Sequence, residues 1–399
     1  MATQSYWQKT ERAAKFKSLR GTVEVDVAII GGGLTGISAA YMLKGAGKRV
    51  ALLERDRFLQ ADTGHTTAHL TYVTDLRTNE LLKNFGRDHA RAVLDAGNAA
   101  IHQIHEIVHE EKIECDFRWA PGYLVEPLNA SKSESRALKK DAEACAELGF
   151  SAHYIDSVPL FSKPGVRFPE QAKFHPLAYC AALLDLLEGD GSYVFENTEA
   201  EEVEEDPIRI KTKSGNVLCR QVVIATHTPL MGKSGMVSAA LFQSKLFPYT
   251  SYAVGARLPK AGVEEALYWD TADPYTYLRL DRLAAYDYAI LGGEDHKTGQ
   301  ADQSERRYGR LEKALLKLFP KAKPDARWSG QVIETNDGLP FIGETTENQF
   351  VATGFSGNGM TFGTLAAVMA RDWVMDRKNP GPSFSNRAGK KSAVEYGTM

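Results

Sequence analysis

Cysteine is scarce in this chain, with four among 399 residues, at positions 115, 145, 180 and 219. They are far apart and form no CxxC pair, which argues against a disulfide scaffold or thiolate metal knuckle and for reduced structural thiols. An excess of charge of one sign is also lacking: 48 Lys and Arg stand against 51 Asp and Glu, a formal net charge of -3. The basic residues are scattered, with no stripe interleaved with aromatics, so nucleic acid is not an expected partner. No apolar run approaches the roughly 18 residues of a membrane span. Lys9, Glu11, Arg12, Lys15 and Lys17 precede any apolar run, so no signal core is read there and a cytoplasmic protein is expected. Hydrophobic residues at 43% and charged residues at 25% are ordinary globular values, and the length predicts two domains. Histidine clusters once, at His102, His105 and His109, on one helical face. Metal binding and a solvated face are both open there, and the absence of a complete ligand motif favours the solvated face.

The informative segment is residues 25 to 55. Val25 to Ile30 are an apolar run suited to a buried parallel strand, and Gly31, Gly33 and Gly36 follow at GxGxxG spacing. Gly31 allows a tight turn, and Gly33 lets the backbone approach a pyrophosphate. Gly36 lets the next helix pack closely on the strand, with Leu34 and Thr35 at the N-terminal end that receives the phosphates. Ile37, Ala40, Tyr41 and Leu43 give that helix a buried face, and Gly47 ends it. Glu54 closes the second apolar run, Val50 to Leu53, 18 residues after Gly36, where a carboxylate accepts hydrogen bonds from ribose hydroxyls. The unit reads as a dinucleotide-binding device.

Further along, residues 79 to 113 predict one long helix or two, and 132 to 149 another. Ile208 to Val217 read as a hairpin turning at Ser214 to Asn216, and 218 to 226 as a second buried strand. Residues 246 to 258 and 275 to 292 suggest antiparallel strands of a second domain. Residues 331 to 378 return to a strand, loop and helix pattern, and 379 to 399 form a tail with little to bury, expected to be mobile. Within 331 to 378, Gly354 to Thr361 open a helix from Leu365 to Val374. Such a glycine-rich helix start can stabilise negative charge on a reduced flavin ring, or can be a tight turn with no ligand.

With these segments in place the chain resembles the FAD-dependent D-amino-acid-oxidase-like superfamily, which includes glycine, sarcosine and gamma-glutamylputrescine oxidases. The resemblance runs over about residues 24 to 378. Its carriers are the Gly31 to Glu54 unit, the Val222 to Thr226 strand, Asp337-Gly338 and Gly354 to Thr361. Gly64 to His69 and Gly292 to Gln300 look like the subgroup whose members often carry a C-terminal Rieske domain. A Rieske centre needs two Cys and two His; no Cys or His follows residue 296, so no cluster is expected in these residues.

The resemblance implies an α/β fold, a GR2-type Rossmann-like FAD-binding domain with an interleaved antiparallel-sheet α+β substrate domain. The expected bounds are 22–78, 150–235 and 325–378 for FAD, and 79–149 and 236–324 for the substrate or cap domain, with 1–21 an N-terminal extension. FAD would be held by Gly31, Gly33, Leu34, Thr35, Gly36 and Glu54 at the adenosine diphosphate, and by Arg55 and Thr66, Thr67 and Ala68 at the central pyrophosphate and ribityl. Ala225 and Thr226 would lie beside it, and Gly354, Gly357, Asn358, Gly359, Met360 and Thr361 beside the ring. His65 and His69 raise a histidyl link to the flavin, but the spacing does not match that motif. The implied reaction is oxidation of a C–N bond of a small amine or amino acid by hydride transfer to flavin N5, with oxygen or a redox protein as acceptor. A dehydrogenase serving a separate protein or quinone, and a non-catalytic FAD-binding subunit, are the alternatives.

For the substrate, Tyr275, Tyr277 and Arg279 alternate along Pro274 to Asp281, so a strand places them on one face, with Arg279 able to clamp a carboxylate and a tyrosine to cover the ring. An outward sheet face is equally open. His296 and Lys297, read as following a Gly292-Gly293 turn, are candidates for oxygen activation or a surface loop. His175 and Tyr252 are weaker choices, and His227 is read as a loop residue near the cofactor.

Overall fold

Val27–Ile30 and Val50–Leu53 are buried at every position, as uninterrupted apolar runs are when both faces of a parallel sheet are covered. They pair in parallel, Val27 opposite Val50 and Ile30 opposite Leu53, at the centre of a six-stranded sheet. In spatial order its strands are Phe341–Thr346, Gln349–Thr353, Gln221–Ile224, Val27–Ile30, Val50–Leu53 and Tyr193–Phe195. The structure, a computed structural model, describes residues 4–11, 14–127, 134–228, 245–260, 264–300 and 304–377; the expected tail at 379–399 lies outside them.

The helix Leu34–Gly45 leaves the first strand, and its buried residues run nearly all round it. Such a helix must be covered on more than one side. The helix Gly359–Val374 provides the second cover: a Cβ on Gly363 would come 2.6 Å from Thr35 Oγ1 and 3.2 Å from Leu34 Cδ2. A four-stranded sheet accompanies this one, with Gly21–Glu24, Gly215–Leu218, Ile208–Thr212 and Glu202–Glu205 in order. Its hairpin turns one residue earlier than expected, because Gly215 and Asn216 already pair with Thr212 and Lys211. Leu19, Ile210 and Val217 join Ala28, Ile30 and Val351 in one apolar cluster.

The other sheet is larger and mixed. Its strands run Lys323–Thr335, Leu246–Leu258, Asp287–Lys297, Tyr277–Arg282, Leu267–Asp270, Arg118–Val125, Gly165–Lys173 and His69–Leu70, with His153–Ile155 alongside Gly165–Lys173. Most neighbours are antiparallel, but Leu267–Asp270 runs parallel to Arg118–Val125. The expected helical region at 79 to 113 is two helices, Thr78–Phe85 and Arg87–Glu110, broken at Gly86 with φ 79°. The longer one buries Ala90, Val93, Leu94, Gly97, Ile101, Ile104 and Ile107 along one stripe. On its other side His102 and His105 lie against the ring of Trp119 at 5.0 and 5.5 Å between centroids.

One local expectation is overturned. Gly292 and Gly293 are not a turn but the middle of the strand Asp287–Lys297. The ring of Tyr277 on the neighbouring strand occupies the space where a side chain at 292 would stand: a Cβ there would meet it at 2.1 Å. A break in register between Thr250 and Tyr252 then bulges the strand at 294 to 295, where Glu294 takes φ 62°.

The chain divides into two compact units, one made of Met1–Arg12, Asp62–Tyr179 and Pro248–Val332, the other of Ala13–Ala61, Cys180–Phe247 and Ile333–Met399. These bounds differ from the expected ones: 62–78, 150–179 and 325–332 group with the larger sheet, and 245–247 with the parallel one. The start of the chain is also integral to its unit. Ser5 caps the helix Tyr6–Thr10 in a capping box, Trp7 is 1% exposed, and its indole N–H donates to the Thr66 carbonyl at 2.7 Å. Replacing Trp7 with Ala removes that packing and strands the Thr66 carbonyl. The variant is expected to lose roughly 3–5 kcal/mol, read from the shift in urea midpoint at unchanged slope.

Candidate active site

In the parallel-sheet unit the loop between Ile30 and Leu34 is shaped by close backbone approaches. Gly31 has φ 115°, and a Cβ on it would lie 2.5 Å from the Ala225 carbonyl oxygen. A Cβ on Gly36 would lie 1.9 Å from the Gly31 carbonyl oxygen, so helix and strand meet as the glycine spacing predicts. The Gly32 N–H donates to Glu54 Oε2 at 2.8 Å, and the Asp56 N–H donates to Glu54 Oε1. Glu54 is thereby held at the strand end with lone pairs to spare, since a carboxylate accepts about four hydrogen bonds. No side chain caps the helix at Gly33. An uncapped helix start behind a glycine loop is what a pyrophosphate needs, so these residues suit the ADP half of a dinucleotide. Arg55 points elsewhere: it is exposed and paired with Asp56 at 3.1 Å.

The same unit contains the second glycine turn. The Ala225 N–H donates to the Ile30 carbonyl at 2.8 Å, and Thr226 Oγ1 donates to the Thr228 carbonyl. The His227 carbonyl accepts from Thr353 Oγ1 at 2.8 Å. Gly354, at φ 74°, turns the chain out of the strand; a Cβ there would strike Thr335. Gly357 and Asn358 form a short turn, and Gly359, Met360 and Thr361 open the helix, again with no side-chain cap bond from Asn358.

In the larger-sheet unit the segment Asp62–Leu70 is fastened from several sides. Trp328 Nε1 donates to the His65 carbonyl at 2.9 Å and the Gln331 N–H to Asp62. Arg279 Nη1 donates to the Thr67, Ala68 and Phe174 carbonyls at 3.2, 2.9 and 2.9 Å. Ala68 sits at φ 55°. Thr66 Oγ1 accepts from the Ala68 N–H, and Thr67 Oγ1 shares a hydrogen bond with His69 Nδ1.

These bonds give Arg279 a task other than the expected carboxylate clamp. It is 2% exposed, its Nε donates to both oxygens of Asp281, and its guanidinium lies 4.8 Å from the Trp7 ring centre. Lys173 adds a second cation, bonded to Asp281 and Glu265. Burial pushes the Asp281 carboxyl up, but Arg279 and Lys173 outweigh it and hold it low. Burial, helped by Arg279, lowers His69 to about 3 and His175 to about 4. Both imidazoles are therefore neutral at physiological pH.

Tyr277 is where the expected substrate strand meets chemistry. Its ring stands edge-on to His69 with centroids 6.1 Å apart. Its hydroxyl is 2.7 Å from Ser251 Oγ, which donates to Asp295 Oδ1 at 2.6 Å. Tyr275 lies tilted beside it, centroids 5.7 Å apart, and donates to Asp75. His296 lies flat on Tyr252, centroids 5.7 Å apart, and Lys297 is exposed at the strand end. Ser251 and Asp295 were missed by sequence reasoning. Asp295 lies in the Gly292 to Gln300 stretch, but only the bulge, invisible in composition, turns it toward Ser251.

The profile of the DAO family, described as FAD dependent oxidoreductase, matches residues 26–373. The chain belongs to the DAO family. FAD is the cofactor of that family. Among relatives, a Bacillus subtilis (strain 168) protein named as a Rieske 2Fe-2S iron-sulfur protein is 32% identical, the match covering 99% of this chain and 78% of the other. The gamma-glutamylputrescine oxidoreductase of Escherichia coli (strain K12) is 25% identical over 96% of this chain and 92% of its own. Among solved structures, glycine oxidase from Geobacillus kaustophilus superposes with a TM-score of 0.74 at 18% identity, covering 92% of this chain and 100% of its own. Like other DAO folds, this one has an α/β FAD-binding domain and a sheet-rich partner domain. No helix among the described residues is long and apolar enough to cross a membrane.

Two measurements test these assignments. Arg279→Ala leaves three carbonyls without their donor and Asp281 with Lys173 as its remaining cation, so the protein is expected to lose roughly 3–5 kcal/mol of stability. The outcome that would sink this reading is an unchanged melting temperature with a raised KM for a carboxylate-bearing substrate. Gly36→Ala forces helix and strand apart and is expected to cost about 1–3 kcal/mol and to lower the flavin retained after gel filtration. The buried histidines add a pH dependence. Their folded pKa values lie below the ordinary 6.5, so the unfolded chain binds more protons as pH falls. Their contribution is complete above about 6.5 and declines from there toward about 4 for His175 and about 3 for His69; melting curves across that range should flatten in His69→Gln and His175→Gln.

Proposed function

We propose that this chain oxidises a C–N bond of a small amine or amino acid. FAD, when bound, supplies the two-electron acceptor, taking the hydride from the carbon beside the nitrogen at flavin N5. The Gly31 to Gly36 loop and the start of its helix would hold the pyrophosphate, Glu54 the adenosine ribose, and Thr66 to Ala68 the middle of the cofactor. Ala225, Thr226 and the Gly354 to Thr361 turn would border it, the helix dipole favouring negative charge on the reduced ring.

The observation that carries the reading is the contact of Tyr277 with His69. It sets the strand expected to face the substrate directly against the residue that follows Thr66 to Ala68. Tyr275 and Tyr277 then offer a half-buried aromatic wall, and neutral His69 adds no competing charge. The relatives named for glycine and gamma-glutamylputrescine support the class of substrate without choosing within it. With Arg279 committed to the interior, an amine without an α-carboxylate suits this wall as well as an amino acid does. Oxygen is one acceptor. A separate iron–sulfur protein is the second, favoured by the relative named for a Rieske centre, 78% of which this chain spans.

Anaerobic spectra of the FAD-loaded protein against glycine, N-methylglycine, L-proline and putrescine test the proposal. Loss of the yellow flavin absorption with at least one is expected, and readmitted air should restore it at once if oxygen is the acceptor. Tyr277→Phe should slow the bleaching. Retained flavin that none of a broad amine panel reduces would overturn C–N oxidation.

A further inference from the structure

Resting on that reading of the Tyr277 wall, we propose that Tyr277, Ser251 and Asp295 form a proton relay that takes the proton from the ammonium form of the substrate amine. The geometry supplies the direction of transfer. Ser251 donates to Asp295 at 2.6 Å, so its oxygen is the acceptor for the Tyr277 hydroxyl 2.7 Å away. The phenol oxygen can then accept from a substrate N–H. As the substrate N–H bond breaks, an O–H bond forms at Tyr277, the original phenol proton passes to Ser251 Oγ, and the serine proton passes to Asp295 Oδ1. The substrate loses one proton and its positive charge, Asp295 loses its negative charge, both hydroxyls finish neutral, and no electrons move. Hydride loss needs the neutral amine, because its lone pair stabilises the cation left on carbon.

The relay is built, rather than a chance contact. Ser251 is 7% exposed. The bulge opposite it makes two residues of Asp287–Lys297 face one of Leu246–Leu258, which re-aims Asp295 across the sheet. Gly292 leaves room for the Tyr277 ring over its Cα. The charged and titratable groups around Asp295 are Asp75 from the segment after Leu70, Tyr275 just before the adjacent strand and Tyr277 at its start, Glu294 on its own strand, and Arg307 from the helix Ser304–Leu318. Arg307 is itself tied to the Glu294 carbonyl at 2.6 Å and to the Glu294 carboxylate. Burial, with Asp75 and Glu294 adding to it against Ser251 and Arg307, raises Asp295 to about 6. An aliphatic ammonium ordinarily ionises near 10, about the lysine value. Desolvation lowers that and raises the carboxylate, so the gap narrows from both sides.

The test uses the FAD-loaded protein and two readouts. Anaerobic stopped-flow reduction by glycine, N-methylglycine, L-proline and putrescine should show a rate that rises with pH through about 6. In Asp295→Asn and Ser251→Ala that limb disappears and the rate near neutrality falls roughly a hundredfold, while Ser251→Thr keeps most of it. Independently, infrared difference spectra of wild type against Asp295→Asn should contain a carboxylic-acid band that grows as pH falls through about 6 and is absent from the variant. Circular dichroism and flavin content confirm that each variant is folded and loaded. If amines reduce the flavin and Asp295→Asn keeps the wild-type rate and pH profile, the relay is wrong and C–N oxidation stands. A band titrating at ordinary carboxylate pH, or persisting in the variant, also overturns the relay. If no amine reduces the flavin, C–N oxidation falls, and the relay, left without an ammonium to serve, falls with it whatever the band does.

Discussion

The larger-sheet unit depends on one buried guanidinium. A cation at 2% exposure is tolerated only where polar partners surround it, and Arg279 obtains them by drawing the Thr67, Ala68 and Phe174 carbonyls to one nitrogen. That convergence fixes the path of Asp62–Leu70, including the positive φ of Ala68. Burial keeps His69 and His175 neutral, and the same charge adds to it. A neutral His69 is in turn what allows Tyr277 to lie against it without a fixed charge at the wall. A residue chosen from the sequence as a ligand clamp thus acts one layer deeper, on the backbone that carries the site.

The parallel-sheet unit depends instead on atoms that are missing. At Gly31 and Gly36 any Cβ would collide with a carbonyl oxygen, and at Gly363 with the helix Leu34–Gly45. These are backbone constraints, so side chains elsewhere can change while the fold persists. That accounts for a TM-score of 0.74 alongside 18% identity with glycine oxidase.

It also explains which parts were legible in the sequence. The Gly31 to Glu54 unit, the Val222 strand and the helix after Gly354 rest on local spacing, and each was read near its observed position. The helices at 78–110 and 135–147 were legible for the same reason, through apolar residues every three or four positions. The Gly292-Gly293 pair was misread because a glycine pair that signals a turn in isolation can equally make room for a neighbour's ring, and the neighbour is 15 residues away in sequence. The mooring of the N-terminal segment through Trp7 and Thr66 was not legible, since the partners are separated by 59 residues. Ser251 and Asp295 are separated by 44, and no periodicity reports such a pairing.

Asp281 and Asp295 show how one residue type is given two roles by its surroundings. Both are carboxylates on adjacent strands of the same sheet, and in both burial opposes ionisation. Asp281 touches Arg279 and Lys173 directly, so its charge is fixed and its proton is out of play. Asp295 accepts instead from the Ser251 hydroxyl, and Arg307, whose charge acts on it, is engaged by Glu294. Its charge is therefore the marginal one, poised where a small input of protons changes it. Carboxylates whose environments push their pKa values apart divide structural from proton-transfer duty, and here that division falls between the strand that anchors the Thr66 to Ala68 segment and the strand that meets Tyr277.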